Sequence, residues 1–426
     1  MSLTKKGYIK RLIDDKLSKY LEIFGAVSIE GPKWCGKTWT SLNHANSVSY
    51  VSEKEIKNLA KIDPKYIFTH KFPQVIDEWQ IVPGIWDAVR HECDSDGNRG
   101  KFILTGSTTL NSEEKNEVFH SGTGRIALMR MYPMSLYESK DSSGDVSILD
   151  MSQGKINETT LRKIELEEIA SFIIRGGWPQ NLNTKISDIS LIPESYIESI
   201  INKDMHERTL RKRNPNKMRI LLRALARNES TVVSLKKLIN DTQEYENERE
   251  LIKSRDTLQE YINVLDSLYI TSNQEAYSLN YRSSARVGKS IKRHLVDPSL
   301  SCACLGLTVD KLMRDHETFG FMFEGLVERD LKIYANYLDA HVFYFRENVS
   351  GDEVDAIMEF KDGSYGAFEI KLTYSAINDA LKSLTTFYKN VKRKPSFMCV
   401  IVGYLQHAYQ DKETGIFIVP ITSLRP

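Results

Sequence analysis

Between Arg11 and Leu21 apolar residues recur at helical spacing and stop at Phe24-Gly25, which predicts a helix closed by a break. The pattern then changes to short apolar runs. Ala26-Val27-Ser28-Ile29, Val48-Ser49-Tyr50-Val51, Phe72 to Gln80, Lys101 to Ser107 and Ile126 to Met131 read as strands, with helical stretches such as Gly84 to His91 between them. This alternation predicts an α/β domain with a parallel sheet, helices on both faces, and ligands at the carboxyl ends of the strands.

The rest of the chain reads differently. Ser139 to Asn157 is rich in Ser, Asp, Gly and Lys and reads as a loop or interrupted insertion. Glu165 to Ile174 is helical and ends at the sharp break Arg175-Gly176-Gly177-Trp178-Pro179. Met218 to Arg227 has one apolar helical face and arginines on the other, Val233 to Ile239 is a helix that Ser230 or Thr231 could cap, and Ser254 to Leu265 is a second amphipathic helix with a cap-like start. Ser267 to Ile270 and Tyr277 to Arg282 read as short strands or a wing, so the middle region resembles a winged helix-turn-helix. Lys292 to Leu300 ends a strand-like run and starts a helix, and Phe319 to Tyr337 is a long helix carrying Glu324. Val342 to Arg346, Glu353 to Phe360 and Tyr365 to Leu372 are strands, the last two joined by the tight turn Lys361-Asp362-Gly363-Ser364. Lys382 to Lys394 is a further helix, and Phe397 to Val402 and Gly415 to Pro420 close the region as strands.

A chain of 426 residues is long enough for about three domains. The patterns divide it at 1–190, 191–295 and 296–426. A formal net charge of +1 points to no class of partner, so any nucleic acid must be met by a local patch. Such a patch exists in Arg208, Arg211, Lys212, Arg213, Lys217, Arg219, Arg223 and Arg227, with Arg282, Arg286, Lys289, Lys292 and Arg293 beyond it. The five cysteines show no metal-ligand spacing and read as free thiols, Cys302 and Cys304 as helix packing. No apolar run is as long as a membrane span, and the expectation is a cytoplasmic protein with no membrane partner.

The chemistry concentrates first at Gly31-Pro32-Lys33-Trp34-Cys35-Gly36-Lys37-Thr38, which has the spacing of a phosphate-binding loop between strand and helix. Glycines let backbone N–H groups curl around phosphate oxygens, Lys37 reaches the β and γ phosphates, and the Thr38 hydroxyl holds Mg²⁺. Asp77 and Glu78 follow the apolar Val75-Ile76 at a strand end, where Asp77 can hold Mg²⁺ with Thr38 and Glu78 can orient an attacking water. Thr105 and Ser107 tip the next strand and could sense the γ-phosphate. Arg125, after Ser121-Gly122-Thr123-Gly124, is either an arginine finger or an exposed surface arginine. Cofactors on this reading are ATP and Mg²⁺.

A second grouping lies near the other end. Glu369 and Lys371 share one strand face, Asp355 is on the neighbouring strand, and Glu324 can approach from the helix. Two carboxylates and a lysine in this form suit a metal that activates water. The arrangement is similar to the PD-(D/E)xK nuclease superfamily, although Val354 stands where a proline usually precedes the aspartate.

Ile29 to Trp39, Ile76-Asp77-Glu78-Trp79-Gln80, Phe102 to Ser107, Gly124-Arg125 and Pro133-Met134-Ser135-Leu136 together resemble a bacterial and archaeal family of AAA-type ATPases joined to a C-terminal domain of uncharacterised function, DUF4143. The resemblance implies nucleotide and magnesium roles for Lys37, Thr38, Asp77 and Glu78, a small helical lid near Arg175 with that arginine as a candidate sensor, and DUF4143 over roughly 200–375. An arginine finger at Arg125 would act across a subunit interface, so a homo-oligomer is among the partners expected. The function expected is an ATPase whose cycle repositions a winged-helix and nuclease-like module on DNA. The alternatives are a nucleotide-gated switch for a protein partner and a metal-dependent nuclease regulated by ATP.

Overall fold

The five apolar runs near the amino terminus become the strands of one sheet in a computed structural model of the chain, which describes residues 3–110, 118, 121–205, 214–243, 252–278, 291–347 and 352–426. Two compact units are present: Met1–Pro133 with Val264–Ile270, and Met134–Asn263 with Thr271–Pro426. In the first, the elements run α1 (Ile13–Ile23), β1 (Ala26–Glu30), α2 (Lys37–Asn43), β2 (Ser47–Tyr50), α3 (Lys54–Ile62), β3 (Gln74–Asp77), α4 (Ile85–Asp96), β4 (Phe102–Gly106) and β5 (Ile126–Arg130). Every pairing is parallel, in the order β2-β3-β4-β1-β5. Alternate residues of the strands enter two cores. Val27, Ile29, Val75, Ile103 and Met129 pack with α1 and α2, while Ala26, Ile76, Phe102 and Leu104 pack with Trp86 and Val89 of α4. Burial of both faces is why these strands read as nearly continuous apolar runs. The run from Phe72 to Gln80 is shorter than expected as a strand: β3 stops at Asp77, Glu78 is left-handed (φ 58°), and Trp79–Ile81 is a 3₁₀ turn.

The second unit carries an eight-stranded mixed sheet. Its strands are β7 (Thr159–Thr160), β9 (Glu275–Ala276), β11 (His341–Arg346), β12 (Glu353–Glu359), β13 (Tyr365–Thr373), β14 (Phe397–Tyr404), β15 (His407–Gln410) and β16 (Phe417–Pro420), in the order β7-β15-β16-β14-β13-β12-β11-β9. Among the described residues four two-residue strands lie outside that sheet, β6 (Val146–Ser147), β8 (Thr231–Val232), β10 (Lys292–Arg293) and β17 (Leu424–Arg425): β8 pairs with β10, and β6 with β17. Its helices include α5 (Leu166–Arg175), α6 (Pro215–Arg227), α7 (Leu235–Gln243), α8 (Arg255–Ser267), α9 (Pro298–Leu305), α10 (His316–Tyr337) and α11 (Ile377–Asn390). The apolar face of α11, Ile377, Ala380, Leu384 and Phe387, covers Val354, Ile357, Ala367, Val400 and Val402 of the sheet.

Three local expectations are corrected. Ser139 to Asn157 is not only loop, since it holds β6 and a short helix, Ile148–Ser152, whose Asp150 amide donates to Ser147 Oγ at 3.2 Å. Neither Ser230 nor Thr231 caps α7: Thr231 is in β8, Ser230 Oγ donates to the Phe321 carbonyl, and Ser234 Oγ accepts from the Lys237 amide. Ser267 is the last residue of α8 and Leu268 to Ile270 form the turn that follows it, rather than a strand. The part of Tyr277 to Arg282 from residue 279 on lies outside the described residues, as do His120, Arg208, Arg211, Lys212, Arg213, Arg286 and Lys289.

The sequence break at Arg175-Gly176-Gly177-Trp178 belongs to a buried polar network. Asp297, at the N-cap of α9, accepts from the Ser299 and Gly177 amides (3.0 and 2.9 Å) and from Arg329 Nη1 (2.9 Å). Arg329 also donates to Asp330 Oδ1 (2.7 Å), whose other oxygen accepts from the Leu136 amide (2.9 Å). Burial pushes the Asp330 carboxyl up to about 6 despite the adjacent guanidinium.

Candidate functional site

Parallel order with β1 between β4 and β5 puts the loop after β1 at a point where strand order reverses, the usual ligand crevice of such sheets. Residues Gly31 to Gly36 turn tightly there. A β-carbon on Gly31 would stand 2.2 Å from the Met131 carbonyl oxygen, and Gly36, at the N-cap of α2, has φ 105°. Trp34 at the apex is also left-handed (φ 63°), and its side chain is exposed. Lys37 is buried and folds back over the loop, its Nζ donating to the carbonyls of Gly31 (2.9 Å) and Pro32 (2.8 Å). Those bonds hold the ammonium inside the ring of backbone that would surround a phosphate.

Beneath the loop, the strand ends deliver the other groups. Asp77 Oδ1 accepts from Thr38 Oγ1 at 2.7 Å and from Thr105 Oγ1 at 2.6 Å. Burial holds the Asp77 carboxyl above the usual range, outweighing both hydroxyl bonds. The Glu78 amide donates to Thr105 Oγ1 (3.2 Å), and the Glu78 carboxylate accepts from Ser107 Oγ (2.9 Å) and Gln80 Nε2. Lys37, Thr38, Asp77, Glu78, Thr105 and Ser107 are therefore brought together.

Arg125 is not among them. It precedes β5, and the parallel register of Ala26 with Ile126 puts it at the amino-terminal edge of the sheet, where its exposed side chain pairs with Asp94 of α4 at 2.7 Å. Arg130, five residues later, ends β5 as the register partner of Glu30 and lies at the carboxyl edge. Arg175 pairs with Asp141 in the second unit at 2.5 Å.

The sequence did not reveal the supports of the loop. Arg11 is buried and donates to the Cys35 carbonyl (2.7 Å) and to the carbonyls of Tyr132 (3.0 Å) and Pro133 (3.1 Å), bracing the loop against the chain that leaves β5. Asp14 accepts from the Arg11 amide (2.6 Å) and Tyr8 Oη (2.7 Å) and bonds His44 Nε2 (2.6 Å), while Tyr8 Oη also bonds Thr40 Oγ1 of α2 (3.1 Å). Burial alone would raise the Asp14 carboxyl, but these bonds hold it below the usual range.

The second grouping also converges. Lys371 Nζ lies 2.7 Å from Glu369 Oε2 and 3.5 Å from Asp355 Oδ2, the Ile370 amide donates to Asp355 Oδ2 (2.8 Å), and Ser383 Oγ donates to Glu369 Oε1 (2.9 Å). Glu324 is paired with Lys292 of β10, a lysine that the sequence had assigned to the basic patch. Burial, and then the Asp355 charge, pushes Glu369 up to about 7; burial likewise raises Glu324 to about 7. Asp355 is lowered, because Lys292 and Lys371 outweigh its burial. Among the described residues no group of three or more His, Cys, Asp or Glu side chains is placed to hold a metal ion. In the basic patch, Arg219 pairs with Glu198.

Among the described residues no helix is long and apolar enough to cross a membrane. No curated protein matches the chain. Among solved structures, it is similar to the Walker-type ATPase Paby2304 of Pyrococcus abyssi (15% identity, covering 71% of this chain and 98% of that one, TM-score 0.44). It is also similar to the RuvB Holliday junction branch migration motor of Thermotoga maritima (18%, 64% and 93%, TM-score 0.27) and to AMPPCP-bound DnaA of Aquifex aeolicus (11%, 60% and 86%, TM-score 0.29). Residues 24–140 match the family model described as AAA domain, and residues 166–311 match a domain of unknown function, DUF8612. The DUF4143 model matches residues 319–424, later in the chain than the resemblance placed it. The AAA-domain match over the phosphate loop and its strand ends, and the DUF4143 match over the carboxyl-terminal sheet, agree with the AAA-type, DUF4143-bearing family that the sequence resembles.

Proposed function

We propose that the chain binds ATP with Mg²⁺ at Gly31 to Thr38 and hydrolyses it to ADP and phosphate. The observation that carries this is Asp77, buried and bonded by Thr38 and Thr105 hydroxyls directly under the lysine-bearing loop. One carboxylate and one hydroxyl are the sparse protein donor set that Mg²⁺ takes when phosphate oxygens and water complete its shell. Mg²⁺, when bound, neutralises charge on the β and γ phosphates.

The chain's own residues do the rest. The loop amides and Lys37 take phosphate oxygens, the ammonium exchanging its bonds to the Gly31 and Pro32 carbonyls for them. Ser107 and Gln80 hold Glu78 so that its carboxylate orients a water for attack on the γ-phosphorus and accepts its proton. The convergence of Asp355, Glu369 and Lys371 on adjacent strands supports a nuclease-like fold, and the ATPase reading makes no use of these side chains. The test is phosphate release by Lys37→Ala, which should fall at least about 100-fold. Release at the wild-type rate would remove the phosphate loop from the reaction.

A further inference from the structure

Helix α8 closes with paired backbone bonds: the Ile270 amide donates to the Leu265 carbonyl (2.9 Å) and the Tyr269 amide to the Asp266 carbonyl (3.0 Å). This is a Schellman turn, whose left-handed position is usually glycine because a β-carbon is strained there. Here it is Tyr269, with φ 61°. Its side chain accounts for the exchange. The ring lies against the Arg130 guanidinium, 3.9 Å from its central carbon, and the hydroxyl donates to Glu30 Oε2 at 2.7 Å. Glu30 and Arg130 are register partners at the carboxyl ends of β1 and β5, and Glu30 is the residue before Gly31.

The same segment is tied to the tip of β4. The Ser267 carbonyl accepts from the Thr109 amide at 2.9 Å. Alternate residues from the end of β4 onward thus have successive attachments: Thr105 to Asp77, Ser107 to Glu78, and Thr109 to Ser267. Val264–Ile270 packs with the nucleotide-binding unit although it is more than 130 residues further along the chain than Pro133.

We propose that Tyr269 is a positioning residue for the nucleotide reaction: by clamping the end of α8 onto Glu30 and Arg130, it fixes the β4 extension on which Ser107 holds Glu78. The inference rests on the ATPase reading above. It gives Val264–Ile270 a second property: a change at Ser107 and Glu78 on hydrolysis would pass through Thr109 to Ser267.

Tyr269→Gly separates the clamp from the turn, because glycine suits the left-handed position and only the side-chain contacts are lost. In the full chain, kcat for ATP should fall about tenfold, while KM and affinity for AMPPCP with Mg²⁺ stay within about twofold. Tyr269→Phe, which keeps the ring on Arg130 and loses the bond to Glu30, should fall between. Amide exchange at 264–270 should differ between the AMPPCP and ADP states of the wild type and not of Tyr269→Gly. Wild-type turnover in Tyr269→Gly, an equal loss of AMPPCP affinity and turnover, or identical exchange in the two wild-type states would each overturn the role. If Tyr269→Gly fails to fold, unchanged kcat in Tyr269→Phe overturns it. A wild type that binds no AMPPCP would instead bring down the ATPase reading, and this inference with it.

Discussion

At the phosphate loop Lys37 binds backbone carbonyls and leaves Asp77 to two threonine hydroxyls, whereas on the carboxyl-terminal sheet Lys371 binds Glu369 and reaches Asp355 directly. The residue types are alike and the consequences differ. A carboxylate held only by neutral donors keeps a demand for positive charge, which a cation can meet. A carboxylate already beside an ammonium has part of that demand met within the fold. Residue composition therefore does not describe a charged grouping by itself; the partner of its lysine must be known as well.

The sharpest way to break the comparison is at Glu78. Glu78→Gln keeps a hydrogen-bonding group for Ser107 but removes the base, so ATP turnover should fall about 100-fold or more with AMPPCP binding retained. Parallel loss of binding would make Glu78 a support of the loop instead. On the other sheet the expected loss is stability. Lys371→Met leaves two carboxylates beside each other and should cost about 3 kcal/mol in urea unfolding, with much of it recovered in Lys371→Met/Glu369→Gln. Unchanged unfolding in the single variant would mean the ion cluster contributes nothing.

The smallest effect concerns pH. Glu369 is raised to about 7 in the folded chain by burial and by Asp355, against 4.5 for an ordinary glutamate. Between those values the folded state holds a proton that the unfolded state has released, so stability falls as pH rises from about 4.5 to 7. Glu369→Gln should reduce that slope in urea midpoints measured across the window, with the part due to Glu324 remaining. An unaltered slope would place the titration elsewhere.

Much of the first unit could be read from its residues because its chemistry is local. Gly31 to Thr38 is one loop, Asp77-Glu78 one strand end, and strands buried on both faces announce themselves as apolar runs. The hairpin of β12 and β13 was legible from alternation and a turn, which is why Asp355, Glu369 and Lys371 meet as expected. What escaped depends on separation along the chain. Arg11 reaches the loop from before α1, Lys292 reaches Glu324 from β10, and Tyr269 reaches Glu30 across more than 200 residues. Arg125 and Arg130 teach a narrower lesson. A strand parallel to β1 must carry its first residue at the edge opposite the ligand and its last beside it, so strand direction alone favoured Arg130 at the carboxyl edge.

The Asp297–Arg329–Asp330 network has a consequence for how such chains can be recombined. Its two aspartates are also bonded by the amides of Gly177 and Leu136, so a carboxyl-terminal piece transplanted without residues 134–178 would keep Arg329 but leave each buried carboxylate short of one backbone donor. A graft that exchanges the nucleotide engine for another must take its seam upstream of Met134, or bring compatible partners for Asp297 and Asp330 with it.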